Sequence, residues 1–309
     1  MSTGVRQWRR PKNSSSKYDF IKVRVHLHNE HYYVLSRFLL SRMLTAARID
    51  YGHALRIALD LKKRLVEKSQ LDVSQADLQK ELFRLLREHG YGEEHVKWYK
   101  TLEKFYHQRI PLIVLIAGTA STGKSTVATR LSERLNLSSV LKTDVIYDLM
   151  HTIIDGKTPG SLWTTKLATH DQQFKDIVAQ ECSLVCRGLD GDLGKSITEG
   201  KSIIIEGSLV EHSLLDHMYE FISKLSNQHT VIVAPFLLVL SESDLQRNLK
   251  RASWFERARD YQSNLVENNN TRKQSNLPKF HTMHVNMGDI QPTIDAMQAI
   301  VLDQIAKKT

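Results

Sequence analysis

The chain has 309 residues, of which 41% are hydrophobic and 25% charged, and its formal net charge is +9. That composition excludes a fibrous or wholly disordered chain, and no apolar run approaches the ~20 residues of a membrane-spanning helix. The basic balance suits anionic ligands, whether phosphorylated metabolites or nucleic acid, and does not choose between them.

Residues 1–17 carry Arg6, Arg9, Arg10, Lys12 and Lys17 without an acid, and Asn13–Ser16 is polar. The stretch lacks the apolar centre of a secretory signal. It reads as a basic disordered tail, and its composition also fits a short organelle transit peptide. Residues 18–108 follow as a small, mostly helical domain. Ile21–Val25 alternates like a strand with one wet face. Leu35, Phe38, Leu39 and Leu44 belong to one helical pattern, Ala54, Ile57, Ala58, Leu61 and Leu65 to a second, and Leu78, Leu82, Phe83, Leu85 and Leu86 to a third. Asp72 and Ser74 are candidate caps before the third pattern and Gly90 its stop.

Arg109-Ile110-Pro111 marks the join to a second domain, 109–309, in which strand and helix patterns alternate. Leu112–Ile116 has the length and β-branching of a buried strand. Gly118 to Ser125 then reads G-T-A-S-T-G-K-S, and helical spacing resumes at Val127, Ala128, Leu131 and Leu135. G-x-x-x-x-G-K-[ST] between a strand and a helix is the phosphate-binding P-loop. Its glycines let successive backbone N–H groups turn around an oxyanion, and the helix N-terminus adds positive potential. The predicted nucleotide cradle is Gly118, Thr119, Ala120, Ser121, Thr122, Gly123, Lys124, Ser125 and Thr126. Lys124 reaches the β- and γ-phosphates, and Ser125 offers its hydroxyl to Mg²⁺. ATP and Mg²⁺ are therefore the expected cofactors.

Val140-Leu141 predicts a short second strand leading to Asp144, and residues 169–199 a long polar helix. Ser202–Ile205 predicts a strand ending at Glu206-Gly207, 213–225 a helix, and Thr230–Leu240 a strand interrupted at Pro235. Charged helices follow over 241–268, a strand over His281–Asn286 and a helix over 290–306. This alternation predicts a kinase-type P-loop NTPase fold: a parallel sheet with helices on both faces and ligands at the carboxyl ends of its strands. Cys182 and Cys186 are four apart on one helical face, without a second cysteine pair for zinc, and read as buried reduced thiols.

Three further groups suit phosphoryl transfer. Asp144 stands where a carboxylate accepts the proton of an attacking hydroxyl or holds a metal-bound water; it also suits a helix N-cap. Glu206 is read either as a metal-supporting acid or as a strand-end acid facing water. Arg247, Lys250, Arg251, Arg257 and Arg259 form a basic helical stretch, with Arg251 the leading candidate for neutralising the transferred group. That stretch is read equally as a solvated face balanced by Glu242, Asp244, Glu256 and Asp260. Glu211 and His212, then Arg272 and Lys273, are lesser candidates. The catalytic set is thus Lys124, Asp144 and Arg251, and the metal set Ser125 and Glu206.

These residues resemble the 2-phosphoglycerate kinase family, and especially the eukaryotic, plant-type low-phytic-acid P-loop proteins. The resemblance runs from about Tyr18 to Ile305. It is carried by Tyr33–Arg42, His107–Leu112 leading into the P-loop, Arg134–Leu137, Lys142-Thr143-Asp144, Arg187–Leu193 and Ile203–Gly207. The segment around Ile21–Val25, Phe38–Leu44 and Gly90–Glu94 resembles an ATP-cone, and it reads equally as a structural helical cap or a partner-docking domain. The resemblance implies a kinase using ATP and Mg²⁺, with a small phosphorylated acid as acceptor and a link to inositol hexakisphosphate synthesis in plants. Two positions depart from the archaeal pattern: Tyr147 stands where an arginine is typical, and Ser208-Leu209 replaces the histidine-bearing step after Glu206-Gly207, with His212 displaced. Asn264–Leu277 is also looser than the family's run. The rival reading is an ATP-binding regulatory or scaffold protein with little kinase activity. No nucleic-acid module is recognisable, so nucleic acid and membrane are not expected partners. The expected location is the cytoplasm, and the sequence leaves the oligomeric state open.

Overall fold

A computed structural model describes residues 18, 20–27, 31–155, 172–225, 230–251 and 279–309. The basic tail, Arg257 and Arg259 of the basic helical stretch, and Arg272 and Lys273 lie outside the described residues. The chain divides into two compact units, Met1–Val96 and Lys97–Thr309.

The first unit joins a three-stranded sheet to three helices. Strand β1 (Arg24–His26) pairs antiparallel with β2 (Tyr32–Val34) and parallel with β3 (Asp72–Ser74). Helix α1 (Arg37–Ala46) starts at Ser36, whose hydroxyl accepts from the Leu39 N–H. Helix α2 (Tyr51–Glu67) starts at Asp50, whose carboxylate accepts from the His53 N–H. Helix α3 (Gln75–Glu88) is capped by Ser74, as its spacing suggests. Asp72 instead lies in β3 and meets His26 at 3.0 Å. Ile57, Leu61, Leu65, Leu82, Leu85 and Leu86 bury this unit's own core. Gly90, with φ +84°, ends the third helical pattern as expected. Leu35 and Leu44 of the first pattern are buried as expected, whereas Phe38 and Leu39 are exposed and Leu40 turns inward instead.

Helix α4 (Glu93–Gln108) adds to the three helical patterns above; its Trp98, Leu102 and Phe105 repeat at helical spacing and are buried. The second unit is built on a parallel sheet of order β5-β6-β4-β7-β8 among the described residues. Its strands are β4 (Leu112–Ala117), β5 (Ser139–Lys142), β6 (Ile203–Gly207), β7 (Ile232–Val239) and β8 (His281–His284). Between them run α5 (Lys124–Leu135), α6 (Thr143–Asp155), α7 (Gln172–Glu199), α8 (His212–Leu225) and α9 (Glu242–Arg251); α10 (Gln291–Ala306) closes the unit. Every residue of β4 is buried, as a central parallel strand covered on both faces requires. Ile113, Leu115, Ile203 and Ile205 share one cluster with Cys182, Leu189 and Met218 of α7 and α8. Alternation sends Val114, Ile116 and Ile204 to the opposite face, and α5 and α10 pack on the other elements of the sheet, α5 against β6 and α10 against β7.

Pro235 does not interrupt β7. It is the register partner of Leu115, and β8 begins pairing only at Phe236, so that flank of residue 235 has no strand to supply with an N–H. Cys182 and Cys186 are free and buried. The Ser213 hydroxyl donates to Cys182 Sγ at 3.0 Å. The neighbouring Cys182 sulfur and burial push the Cys186 thiol far above its ordinary value, which keeps it protonated.

Candidate active site

The phosphate loop grows out of the sheet's central strand. β4 ends at Ala117, and α5 begins at Lys124 behind Gly123, whose φ is +86°. Gly118 has φ +155°, and a Cβ there would stand 2.9 Å from the Leu238 carbonyl and 2.7 Å from Thr122 Oγ1. Glycine is thus required where the strand turns into the loop beside β7. Thr119 and Thr122 are buried, and the Thr119 carbonyl accepts from Thr122 Oγ1 at 2.8 Å and from Lys124 Nζ at 2.8 Å. Lys124 is only 7% exposed. Ser125 and Thr126 are exposed on the first turn of α5. This loop, with its left-handed glycine and helix N-terminus, fits the phosphate tail of a nucleoside triphosphate.

The metal-side residues meet directly. Ser125 Oγ donates to Glu206 Oε1 at 2.6 Å. Glu206 is 2% exposed and in register with Ile116 on one side and Lys142 on the other. It is therefore a buried strand carboxylate rather than an acid facing water. A hydroxyl and one buried carboxylate are oxygen donors suited to Mg²⁺, which keeps several waters and phosphate oxygens as its remaining ligands.

Asp144 lies on the first turn of α6, two residues after β5, and is exposed. Its placement depends on Thr143. Gly207 has φ +153°, and a Cβ on it would overlap Thr143 Oγ1 and come within 2.9 Å of Thr143 Cβ. Thr143 is fully buried, and its hydroxyl has no hydrogen-bond partner among the described residues. The start of α6, and with it Asp144, is seated on the bare Cα beside Glu206. Gly207→Ala is therefore expected to cost about 1–3 kcal/mol of stability through strain and overlap. Urea denaturation reads this, and an unchanged midpoint would refute the contact.

Around this centre the candidates separate. Asn248 Nδ2 of α9 donates to the Ser121 carbonyl at 3.2 Å, which ties α9 to the loop. Arg247 instead pairs with Asp244 at 3.2 Å and is exposed. Arg251 ends α9. Met287 covers the far side: a Cβ on Gly123 would stand 3.2 Å from its sulfur. Tyr147 is buried, its ring 4.7 Å from that of His151, and His151 Nε2 meets Glu181 Oε2 at 2.7 Å. His212 sits edge-on to Phe280. Asn248 and Met287 carry no motif signal, and Thr143 stands out in the sequence only as part of Lys142-Thr143-Asp144, not for its contact with Gly207. Their spacing to the loop is set by tertiary packing alone.

A P-loop on the middle strand of a parallel sheet, with helices on both faces and a strand carboxylate bound to the loop's serine, defines a kinase-type P-loop NTPase. No family model matches the chain. A "2-phosphoglycerate kinase" of Pyrococcus horikoshii is 30% identical over 238 residues, 73% of this chain and 74% of that protein. One from Methanococcus maripaludis is 25% identical over 298 residues, 89% of this chain and 90% of that protein. The chain belongs to the 2-phosphoglycerate kinase family and is a kinase. A solved gluconokinase from Sinorhizobium meliloti aligns with TM-score 0.39 at 14% identity, over 65% of this chain and 99% of that one; the fold assignment rests on the strand order instead. No helix among the described residues is long and apolar enough to cross a membrane.

Proposed function

We propose that this kinase transfers the γ-phosphoryl group of ATP to a hydroxyl of a small phosphorylated acid of the 2-phosphoglycerate type. The observation that carries the reading is the Ser125–Glu206 contact at 2.6 Å beside a complete phosphate loop. The name of these relatives, 2-phosphoglycerate kinase, supplies the acceptor class.

In this reading Gly118–Thr126 hold the phosphate tail through backbone N–H groups, and Lys124 exchanges the Thr119 carbonyl for β- and γ-phosphate oxygens. Ser125 and Glu206 hold Mg²⁺, which neutralises charge on the phosphates when bound. Asp144 orients the acceptor hydroxyl and takes its proton. Arg251 stabilises the charge spread over the transferred group; it lies three residues beyond Asn248, whose amide already anchors α9 to the loop. The first unit acts as an ATP-cone-like module, and the enzyme works in the cytoplasm. Tyr147, in place of the family's arginine, changes the acceptor side and opens a second acceptor class, inositol phosphates, in keeping with the plant-type resemblance.

The test is product analysis after incubation with ATP, Mg²⁺ and either 2-phosphoglycerate or a set of inositol phosphates. A product with one added phosphate supports the reading and names the acceptor. Nucleotide binding without any phosphorylated product would replace it with the regulatory one.

A further inference from the structure

A cavity of about 770 Å³ opens at the edge of the second unit's sheet where the strands begin. It is lined by residues that immediately precede β4, β6 and β7, whereas the phosphate loop follows the end of β4. Six residues of strand put roughly 20 Å between the two, so a small ligand cannot occupy both.

The cavity pairs an apolar floor with a basic rim. Ile110 and Ile197 are buried beneath it, and Arg109, Lys201 and Lys308 line it with Glu199 as the acid. Glu199 is engaged by Lys201, whose ammonium holds the carboxyl below its usual range. Arg109 and Lys308 have no ion-pair partner among the described residues. The backbone beneath the rim is held in an uncommon form. Arg109 has φ +50° and Gly200 has φ +65°, and a Cβ on Gly200 would overlap the Arg109 carbonyl oxygen. A non-glycine residue kept in the left-handed region by a facing glycine is a preset feature, and such strain gathers at binding sites.

We propose that this cavity is a second anion site, which takes a small organic molecule bearing phosphate or carboxylate groups, separate from the nucleotide site. Arg109 and Lys308, without an ion-pair partner among the described residues, meet the charge, and the isoleucine floor meets the carbon skeleton. The site stands whether or not 2-phosphoglycerate proves to be the acceptor.

Calorimetric titration of the full chain in magnesium-free buffer tests it, with pyrophosphate and citrate as probes of phosphate and carboxylate recognition. Lys124→Ala weakens the loop and should leave the cavity's binding of at least one probe intact. Arg109→Gln/Lys308→Gln should weaken that binding roughly tenfold or more while keeping the Lys124-dependent class. The retained class also reports that the double variant is folded, and Lys308→Gln alone serves if it is not. No probe binding to the Lys124→Ala chain overturns the site. So does a double variant that binds both probes like the unmodified chain; if it also melts lower, the cations serve only the carbonyl ends of α4, α7 and α10.

Discussion

Lys124→Ala is expected to abolish turnover and leave the fold in place. The two effects separate because of where the ammonium sits. Lys124 Nζ donates to the Thr119 carbonyl, but Thr122 Oγ1 donates to the same oxygen at 2.8 Å, so truncation does not orphan it. The structural cost is on the order of one hydrogen bond, about 1 kcal/mol, or a fall in melting temperature of about 2–4 °C. The catalytic cost is larger. A cation aimed at the transferred phosphoryl group is worth ~10³–10⁵ in turnover where an arginine supplies it, and the loop lysine plays a comparable part. Coupled nucleotide assay and thermal melting read the two arms. Turnover near that of the unmodified chain would remove the phosphate loop from the reaction.

Glu206→Gln should be the next most damaging change. The amide keeps an oxygen that accepts from Ser125, and its volume is nearly unchanged, so β6 keeps its place between β4 and β5. What is lost is a full negative charge at a site 2% exposed, where little solvent screens it. Turnover is expected to fall by ~10²–10³, the range seen when one preorganised electrostatic partner of a reaction is removed. The magnesium concentration for half-maximal rate should rise as well, which a purely structural carboxylate would not cause. A variant with reduced rate and unchanged magnesium dependence would assign Glu206 to packing alone.

The sequence announces the loop because its residues are contiguous: two glycines, a lysine and a serine at fixed spacing between an apolar strand and a helix. The same holds for the alternating order of the second unit, where each strand is long enough to show a pattern. β2 and β3 were not legible. Each has three residues, and β1 pairs with β3 across 48 positions, Arg24 to Asp72, so their strand character comes from a distant partner rather than local preference. Helix α4 was readable from Trp98, Leu102 and Phe105 but was obscured by charged residues between them. The continuity of β7 through Pro235 depends on where β8 starts, which no local window contains. At the site, Glu206 stands at the end of a strand and Asp144 two residues beyond one, and both could be found. Asn248 and Thr143 reach the centre only through packing of α9 on the loop and of α6 on Gly207.

The Thr119 carbonyl under the Lys124 ammonium has a consequence for selectivity. Because the lysine already has an acceptor inside its own chain, a phosphate entering the loop trades one oxygen for another at the ammonium, beside the bonds it takes from the backbone N–H groups. The gain on entry lies in charge: a neutral amide oxygen gives way to an ionised one. Nucleotide affinity should therefore fall step by step as phosphates are removed, so that a monophosphate holds poorly, and it should decline as ionic strength rises.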